Sequence, residues 1–494
     1  MAERFNKSDP LTDLVHAPLA HWASVRGDVV AISDGFSGSS TSLTFAKLHS
    51  AVQQRATALS QAQAPATVLV DDSATSIHQI VEFLAVISSG RCAAMADPDW
   101  PAALRETMRE HIRLLPSTLP DLLPTSPFYI GFTSGSTGLP KGFRRHHRSW
   151  TESFRVCVDA FGPDATSGFL SPGRSSNSLF LFGMLLGIWT GAGVEIQEKF
   201  SASRALDTLR QGRTPCLIAV PSQLILMIEL AARHAHAPIE ATRLIMISGA
   251  RWARNRTAEL HALFPKARII EFYGASETSF IAWMDAEAST PLEVVGRPFG
   301  NVEIDIRDAK APGSPGLIFV RSPMLFMDYM STDVDATAAI RDGDWLSVRD
   351  MGYMDAQGRL CLAGRQNRMI TTQGKNLFPE ELESVLTAHP GIAKASVQGV
   401  ADVLRGMKVV AVVQPDSKHV GHLHAAELSA WCRDQLEAYK TPKRYFFCDD
   451  WPLTASGKTD HAKLALRLQN HLNAKDNITN PDTPCSTPSL LPLL

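Results

Sequence analysis

The stretch YIGFTSGSTGLPKG, residues 129–142, decides how the rest of the chain is organised. The apolar run PFYIGFTS (127–134) predicts a strand. It empties into Thr133–Gly138, where every residue is a glycine or carries a hydroxyl, and Lys141 follows. Glycines let backbone N–H groups approach an anion, Ser and Thr hydroxyls add donors, and the lysine supplies charge. A strand ending in such a loop predicts a phosphate cradle, whereas a flexible linker needs neither the strand nor the lysine. The spacing is not G-x-x-x-x-G-K-[ST]. SGKT at 456–459 has the end of that pattern, but Pro452 stands where its first glycine belongs.

Outward from this loop, helical patterns alternate with short apolar runs. Phe45, Leu48, Val52, Ala56 and Leu59 recur at helical spacing, and IHQIVEFLAVISSG (77–90) predicts a helix closed by Gly90. TVLVDD (67–72), RCAAMADP (91–98), CLIAVP (216–221), RLIMISGA (243–250) and ARIIEFYG (267–274) predict strands. Strands separated by helices imply right-handed crossovers and mostly parallel sheets covered on both faces, with ligands at the carboxyl ends. From Val302 to Pro323 the strands VEIDIRD and GLIFVRSP lie close together, which predicts a small antiparallel, barrel-like subdomain. Past Gly364, a helix (EELESVLTAHP), two strands (ASVQGV, KVVAVVQP) and a second helix (AELSAWCRDQLEAY) suffice for a separate α+β unit. The expected fold class is α/β. A large N-terminal domain of layered, mostly parallel sheets spans 1–364, a small mobile α+β domain 365–470, and a Pro/Ser/Thr/Asn-rich disordered tail 471–494.

Composition excludes several classes. Among 494 residues, 48 Lys and Arg face 50 Asp and Glu, for a net charge of −2. That balance argues against nucleic acid or an anionic membrane surface as the main partner. The seven cysteines, at 92, 157, 216, 361, 432, 448 and 485, are odd in number and form no Cys-x-x-Cys pair. No His-Glu-x-x-His occurs, so a metal site built by protein alone has little support. MAERFNKSDP lacks the apolar run of a signal peptide. The uncharged run Leu179–Val194 is short and interrupted by glycines, and it predicts a buried helix and turn rather than a membrane span. A reduced, cytoplasmic protein is expected. FRRHHRSW (143–150) leaves two readings open, a basic guide for anions or a solvated helix start.

FTSGSTGLPKG resembles the signature loop of the adenylate-forming (ANL) superfamily, which includes acyl-CoA synthetases, aryl-CoA ligases, peptide-synthetase adenylation domains and luciferases. Four further segments, in the family's order, extend the resemblance over roughly residues 20–470. The resemblance implies that Thr133, Ser134, Gly135, Ser136, Gly138 and Lys141 bind ATP phosphates and that Thr137 belongs to the catalytic set. EFYGASETS (271–279) is similar to a Tyr-Gly-x-(Ser/Thr)-Glu element. It implies Tyr273 against adenine beside Gly274, Ser276 near the α-phosphate, and Glu277 on the Mg²⁺ that accompanies ATP. Gly249 and Ala250, of SGARW (248–252), fall in the same implied ATP site. VRDMGYMDAQGRLCLAGR (348–365) resembles the segment whose aspartate holds the ribose hydroxyls, here Asp350, and whose arginine, here Arg365, contacts the nucleotide. Val348-Arg349 replaces the usual Thr-Gly. In GRQNRMITTQGKNLFPEELE (364–383) the hinge position is Asn367 in place of the common Asp or Lys. Gly374, Lys375 and Asn376 fall where relatives line the thiol's path. WPLTASGKTDHAKL (451–464) makes Lys458 the catalytic lysine of the first half-reaction.

The resemblance implies an ATP-dependent acid–CoA ligase with ATP, Mg²⁺ and coenzyme A as its cofactors. A carboxylate is a poor acyl electrophile, and joining it to the α-phosphate brings two anions together, so the site must neutralise charge. In relatives the acid pocket lies between segments matching 174–183, 248–252 and 274–281. Phe180, Phe182, Trp252 and Phe280 suggest an apolar or aryl acid, with Asn177 as its polar reader. The first segment has no Asp, which disfavours an α-amino acid. The alternatives are an adenylating ligase that loads an acyl carrier protein or an amine, and a nucleotide-binding regulator without turnover.

Overall fold

Strands Cys216–Ala219 and Leu244–Ile247 are buried at every position, and each lies between two parallel neighbours, as an uninterrupted apolar run requires. The computed structural model describes residues 13–35, 41–71, 75–133, 140–311, 313–330, 339–372, 375–402, 406–416, 423–454, 457–476 and 491–492. Their strands form three sheets.

The first sheet has a parallel centre of Val30–Ser33, Val194–Ile196, Phe169–Ser171, Cys216–Ala219, Leu244–Ile247 and Arg268–Ala275. Antiparallel strands continue its ladder through Ser279–Asp285, Val294–Pro298, Leu360–Arg365, Asp350–Met354 and Gly316–Arg321. Glu303–Arg307 pairs with Gly316–Arg321 in the small antiparallel unit expected between 302 and 323. The second sheet runs Asp328–Tyr329, Lys141–His146, Pro127–Thr133, Cys92–Met95, Thr67–Val70. The third gathers Ile370–Thr372, Lys375–Leu377, Ile392–Asp402, Gly406–Pro415 and Arg444–Phe447. The fold is thus mixed α/β, with a large N-terminal sheet domain and a small C-terminal one.

Side-chain alternation divides the core. Cys216, Ile218, Leu244 and Met246 face the cluster shared with the second sheet, while Leu217, Ala219, Ile245 and Ile247 face a cluster under helix Pro221–Arg233. Helix Ser178–Trp189 is buried from Phe180 to Trp189, the state expected of its uncharged run.

Two features depart from expectation. FRRHHRSW is mostly interior rather than solvated: Arg145 and His147 are each 1% exposed and Arg144 pairs bidentately with Asp328, while Arg148 is exposed at the start of helix His147–Phe161. Helix His461–Asp476 continues beyond 470, and Leu491–Pro492 pairs with Phe446 and Phe447. The rest of the expected tail lies outside the described residues.

Strand Arg268–Ala275 points Glu271 inward, where Arg254 meets it and the backbone N–H of Trp252 donates to it at 3.4 Å. Burial pushes the Glu271 carboxyl above the usual range, and Arg254 pulls it back. Arg254→Met leaves that carboxylate buried without its cation and is expected to lose about 3–5 kcal/mol in urea unfolding. The double variant Arg254→Met/Glu271→Met recovers most of the loss. A single variant as stable as the parent contradicts this reading.

Candidate active site

The carboxyl ends of strands Pro127–Thr133, Leu244–Ile247 and Arg268–Ala275 supply the candidate residues. Thr133 and Lys141 are cross-strand partners, and the Thr133 hydroxyl donates to the Lys141 carbonyl at 3.4 Å. The two ends of the glycine-rich loop are therefore pinned side by side. Ser134, Gly135, Ser136, Thr137 and Gly138 lie outside the described residues. The Lys141 ammonium sits 4.0 Å from the centre of the Tyr329 ring, a cation–π contact.

Tyr273 and Gly274 sit where strand Arg268–Ala275 turns back into Ser279–Asp285. A Cβ on Gly274 would fall 2.0 Å from the Ser279 carbonyl oxygen, so only glycine lets the chain fold back this tightly. The three-residue turn holds Ser276 and Glu277, and Ser279 closes it at a φ of +57°. Thr278 braces it from within, its hydroxyl accepting from the Ala275 N–H at 3.1 Å. Outside, the Phe326 N–H donates to the Glu277 carbonyl at 2.8 Å, and the Tyr329 hydroxyl donates to Glu277 Oε1 at 2.9 Å.

Asp350 is 5% exposed and takes two hydrogen bonds, from the Tyr273 hydroxyl to Oδ2 and from Arg365 Nε to Oδ1 at 3.1 Å. Burial, reinforced by the Asp350 charge, holds the Tyr273 phenol well above the usual range. Asp350 raises the Arg365 guanidinium against a smaller opposing effect of burial. Arg349 has a φ of +64°, a conformation natural to the glycine that the family resemblance puts there. It keeps that conformation through bonds on either side. Its N–H donates to Ser347 Oγ at 3.2 Å, its carbonyl accepts from the Gln366 N–H at 2.9 Å, and its guanidinium reaches Gln366 Oε1 at 3.1 Å.

Lys458 comes from the C-terminal domain. Its loop is closed by the Leu453–Thr459 bridge and by the Lys458 N–H donating to Thr454 Oγ1 at 3.2 Å. The charges that act on its ammonium belong to Arg365, at the domain boundary, and to Asp350 and Glu277 of the N-terminal domain. Burial, then Arg365, holds it below the usual lysine range, while Asp350 and Glu277 oppose them. The side chain is nonetheless exposed to solvent. Arg251 bridges the same two domains, donating to Ser384 Oγ at 3.0 Å.

The other expected positions are dispersed. Gly249, with φ +86°, and Ala250 are exposed at the end of Leu244–Ile247, and a Cβ on Gly249 would lie 3.1 Å from Val220 and 4.0 Å from Leu179. Asn177 caps helix Ser178–Trp189, accepting from the Leu179 N–H at 3.0 Å. Phe180, Phe182 and Phe280 belong to one buried cluster, with Phe182 and Phe280 4.8 Å apart. Trp252 lies elsewhere, 1% exposed in the cluster on the other face of the sheet, with its indole N–H on Thr257. Asn367 is exposed in the short helix Gln366–Arg368. Lys375 lies over the Tyr439 ring at 4.8 Å, Asn376 accepts from the Thr371 hydroxyl at 3.1 Å, and Gly374 is outside the described residues. Arg145 and Tyr329 escape a reading from sequence, because the contacts that tie them to the site, with Ser276 and with Glu277, span more than 50 positions.

The site also bears on the metal. No group of three or more His, Cys, Asp or Glu among the described residues could hold a cation by itself. Glu277 offers one hard carboxylate at the cleft, the donor set Mg²⁺ uses when it arrives with phosphates. The residues fit such an ion.

This fold, with a glycine-rich loop at the strand ends and a lysine delivered from a second domain, defines an adenylate-forming enzyme. Residues 103–330 match the AMP-binding enzyme family, and residues 381–458 match the AMP-binding enzyme C-terminal domain. The uncharacterized acyl–CoA ligase YhfT of Bacillus subtilis is 38% identical over 362 residues, 72% of each protein. The indoleacetate–CoA ligase of Aromatoleum aromaticum is 32% identical over 69% of this chain and 67% of its own. In fold, the chain is similar to Bacillus subtilis o-succinylbenzoate CoA synthetase in complex with its acyl-adenylate intermediate. The TM-score is 0.76 at 22% identity, covering 90% of this chain and 97% of that one. The chain belongs to the AMP-binding enzyme family.

Arg349 tests the backbone of the Asp350 loop. Arg349→Gly removes the cost of a positive φ but adds unfolded-state entropy, so its stability is expected within about 1 kcal/mol of the parent. Arg349→Val, β-branched, is expected to lose about 1–3 kcal/mol. Equal unfolding midpoints for the two variants contradict the assignment.

Proposed function

We propose that the protein activates a carboxylic acid with ATP and passes the acyl group to coenzyme A. In the first step a carboxylate oxygen attacks the α-phosphorus and pyrophosphate leaves, giving an acyl-adenylate. In the second, the thiolate of coenzyme A attacks the acyl carbon and AMP leaves, with the electron pair of the broken bond on its phosphate oxygen. The observation that carries this reading is that Lys458, of the C-terminal domain, is acted on by Asp350 and Glu277 of the N-terminal one.

Each residue has a task in this scheme. Lys141 and the loop 133–138 bind the phosphates, with Thr137 a donor to the reacting groups. Asp350, oriented by Tyr273 and Arg365, accepts from the ribose hydroxyls, and Gly274, Gly249 and Ala250 leave room for the base. Ser276 donates near the α-phosphate. Mg²⁺ carried by ATP supplies charge neutralisation, and Glu277 is placed to hold it. Lys458 donates to the oxygens on which charge develops. The C-terminal domain, 365–470, then turns about Asn367, withdraws Lys458 and presents Lys375 and Asn376 to the incoming thiol. Leu179 and Val220 beneath Gly249, backed by Phe180, Phe182 and Phe280, favour an apolar acid. Trp252, on the far face, lies outside this pocket.

Relatives named as an acyl–CoA ligase and an indoleacetate–CoA ligase support coenzyme A as acceptor. Nothing in the site favours a carrier protein, an amine acceptor or a regulator without turnover. No described helix is long and apolar enough to cross a membrane, and the six described cysteines are free and buried, which supports a reducing, cytoplasmic setting.

Lys458→Ala is expected to slow acid-dependent pyrophosphate exchange by about 10²–10³-fold while ATP binding stays within a few-fold. Normal exchange refutes the assignment. Lys458 acts as a cation, so exchange falls as pH rises through its pKa, which is held below the ordinary value of about 10.4. Arg365→Gln removes one cause of that lowering and is expected to move the alkaline limb upward. A limb that stays in place or moves downward contradicts the coupling.

A further inference from the structure

Arg145 is wholly interior, yet among the described residues its guanidinium touches no carboxylate. Nη1 donates to the Ser276 carbonyl at 2.6 Å, Nη2 to the Met324 carbonyl at 2.6 Å and to Ser279 Oγ, and Nε to Ser149 Oγ at 3.2 Å. These acceptors are neutral, and burying a cation against neutral groups is costly unless a counter-charge lies within reach. The acidic group that acts on Arg145 at a distance is Glu277, with the Tyr129 phenol. Two of its four acceptors, Ser276 and Ser279, flank Glu277 in sequence and close its turn. Ser279 holds a positive φ there, and Arg145 engages its hydroxyl.

Connectivity gives this clamp a direction. Arg145 stands on strand Lys141–His146, which leaves the phosphate loop at Lys141. Strand Asp328–Tyr329 pairs with it, Tyr329 opposite Phe143, and sends its hydroxyl to Glu277. Met324, the third anchor, opens the segment that reaches Tyr329. One buried guanidinium therefore joins three elements: the strand leaving the phosphate loop, the Glu277 turn, and the segment whose tyrosine bonds the Glu277 carboxylate.

We propose that Arg145 is a positioning residue for metal–nucleotide binding, a fixed buried cation that sets the Ser276–Ser279 turn and aims Glu277 at the metal carried by ATP. This rests on the reading of Glu277 as the metal-binding carboxylate, so the test separates the two.

Binding of Mn²⁺·ATP is measured by electron paramagnetic resonance without acid or coenzyme A, beside binding of metal-free ATP and the unfolding midpoint. Glu277→Gln is expected to weaken Mn²⁺·ATP at least tenfold and metal-free ATP little. Arg145→Gln is expected to do the same, Arg145→Lys to recover part of the loss, and Arg145→Gln/Glu277→Gln to be no worse than either single variant. Should Arg145→Gln fail to fold, Ser279→Gly decides. It relieves the positive φ but removes the hydroxyl that Arg145 holds, so its midpoint is expected to hold or rise while Mn²⁺·ATP weakens several-fold. Parental Mn²⁺·ATP binding in folded Arg145→Gln, or in Ser279→Gly, with Glu277→Gln impaired, overturns the role of Arg145 alone. Parental binding in Glu277→Gln overturns the metal reading and this proposal with it.

Discussion

The Asp350 carboxylate is the fixed point of the site. It is buried, so it is tolerable as an anion only because Tyr273 and Arg365 both donate to it. That arrangement requires two different strand ends to arrive at one place, Arg268–Ala275 from the parallel ladder and Leu360–Arg365 from its antiparallel extension. The same ladder places Glu277 in the turn that follows Arg268–Ala275. The two carboxylates then act together on Lys458 across the domain boundary. Three cations act on this region: Arg145 on the Glu277 turn, Arg365 on Asp350, and Lys458 from the C-terminal domain. An incoming triphosphate adds negative charge to a site already balanced by fixed positive groups, which is what pre-organised charge stabilisation demands.

Much of this was legible because it is local. A buried parallel strand announces itself as four to eight apolar residues, and Cys216–Ala219, Leu244–Ile247 and Arg268–Ala275 all lie within such runs. The glycine loop, the Tyr-Gly turn and the Gly-Lys element carry their chemistry in adjacent letters. Other features are contacts over long separations and left no trace in the local pattern. The basic run at 143–150 looked like a surface, because burial of Arg145 is decided by Ser276, Ser279 and Met324, more than 130 positions away. Tyr329 reads as one aromatic in a loop until Asp328–Tyr329 pairs with Arg144 and Phe143. Trp252 and Phe280 both looked like pocket residues, since sequence does not say which face of a sheet a side chain after the strand will take.

Arg349 shows how a departure from a family pattern can leave the backbone unchanged. Glycine would take a φ near +64° freely; arginine takes it under strain and gains a bond to Gln366, one residue before Asn367. On the far side of that residue, Arg368 is held by Glu380 at 2.9 Å and Glu383 at 2.6 Å within the C-terminal domain. Asn367 thus sits exposed between two arginine anchorages, Arg349 on one side and Arg368 on the other. As the proposed pivot, it would confine motion to a few backbone angles.

The most direct test is to fix the domains as they stand. Arg251 and Ser384 touch across the boundary, and neither belongs to the reacting groups. Cysteines introduced at both positions, in a Cys485→Ser background, can be joined by a short bis-maleimide while the six described native thiols stay buried. The bridged protein should exchange pyrophosphate at nearly the unbridged rate, because Lys458 stays within electrostatic reach of Asp350 and Glu277, and should form acyl-CoA at least tenfold more slowly. Acyl-CoA formation at the unbridged rate, or loss of exchange on bridging, would contradict the assignment of this arrangement to the first half-reaction.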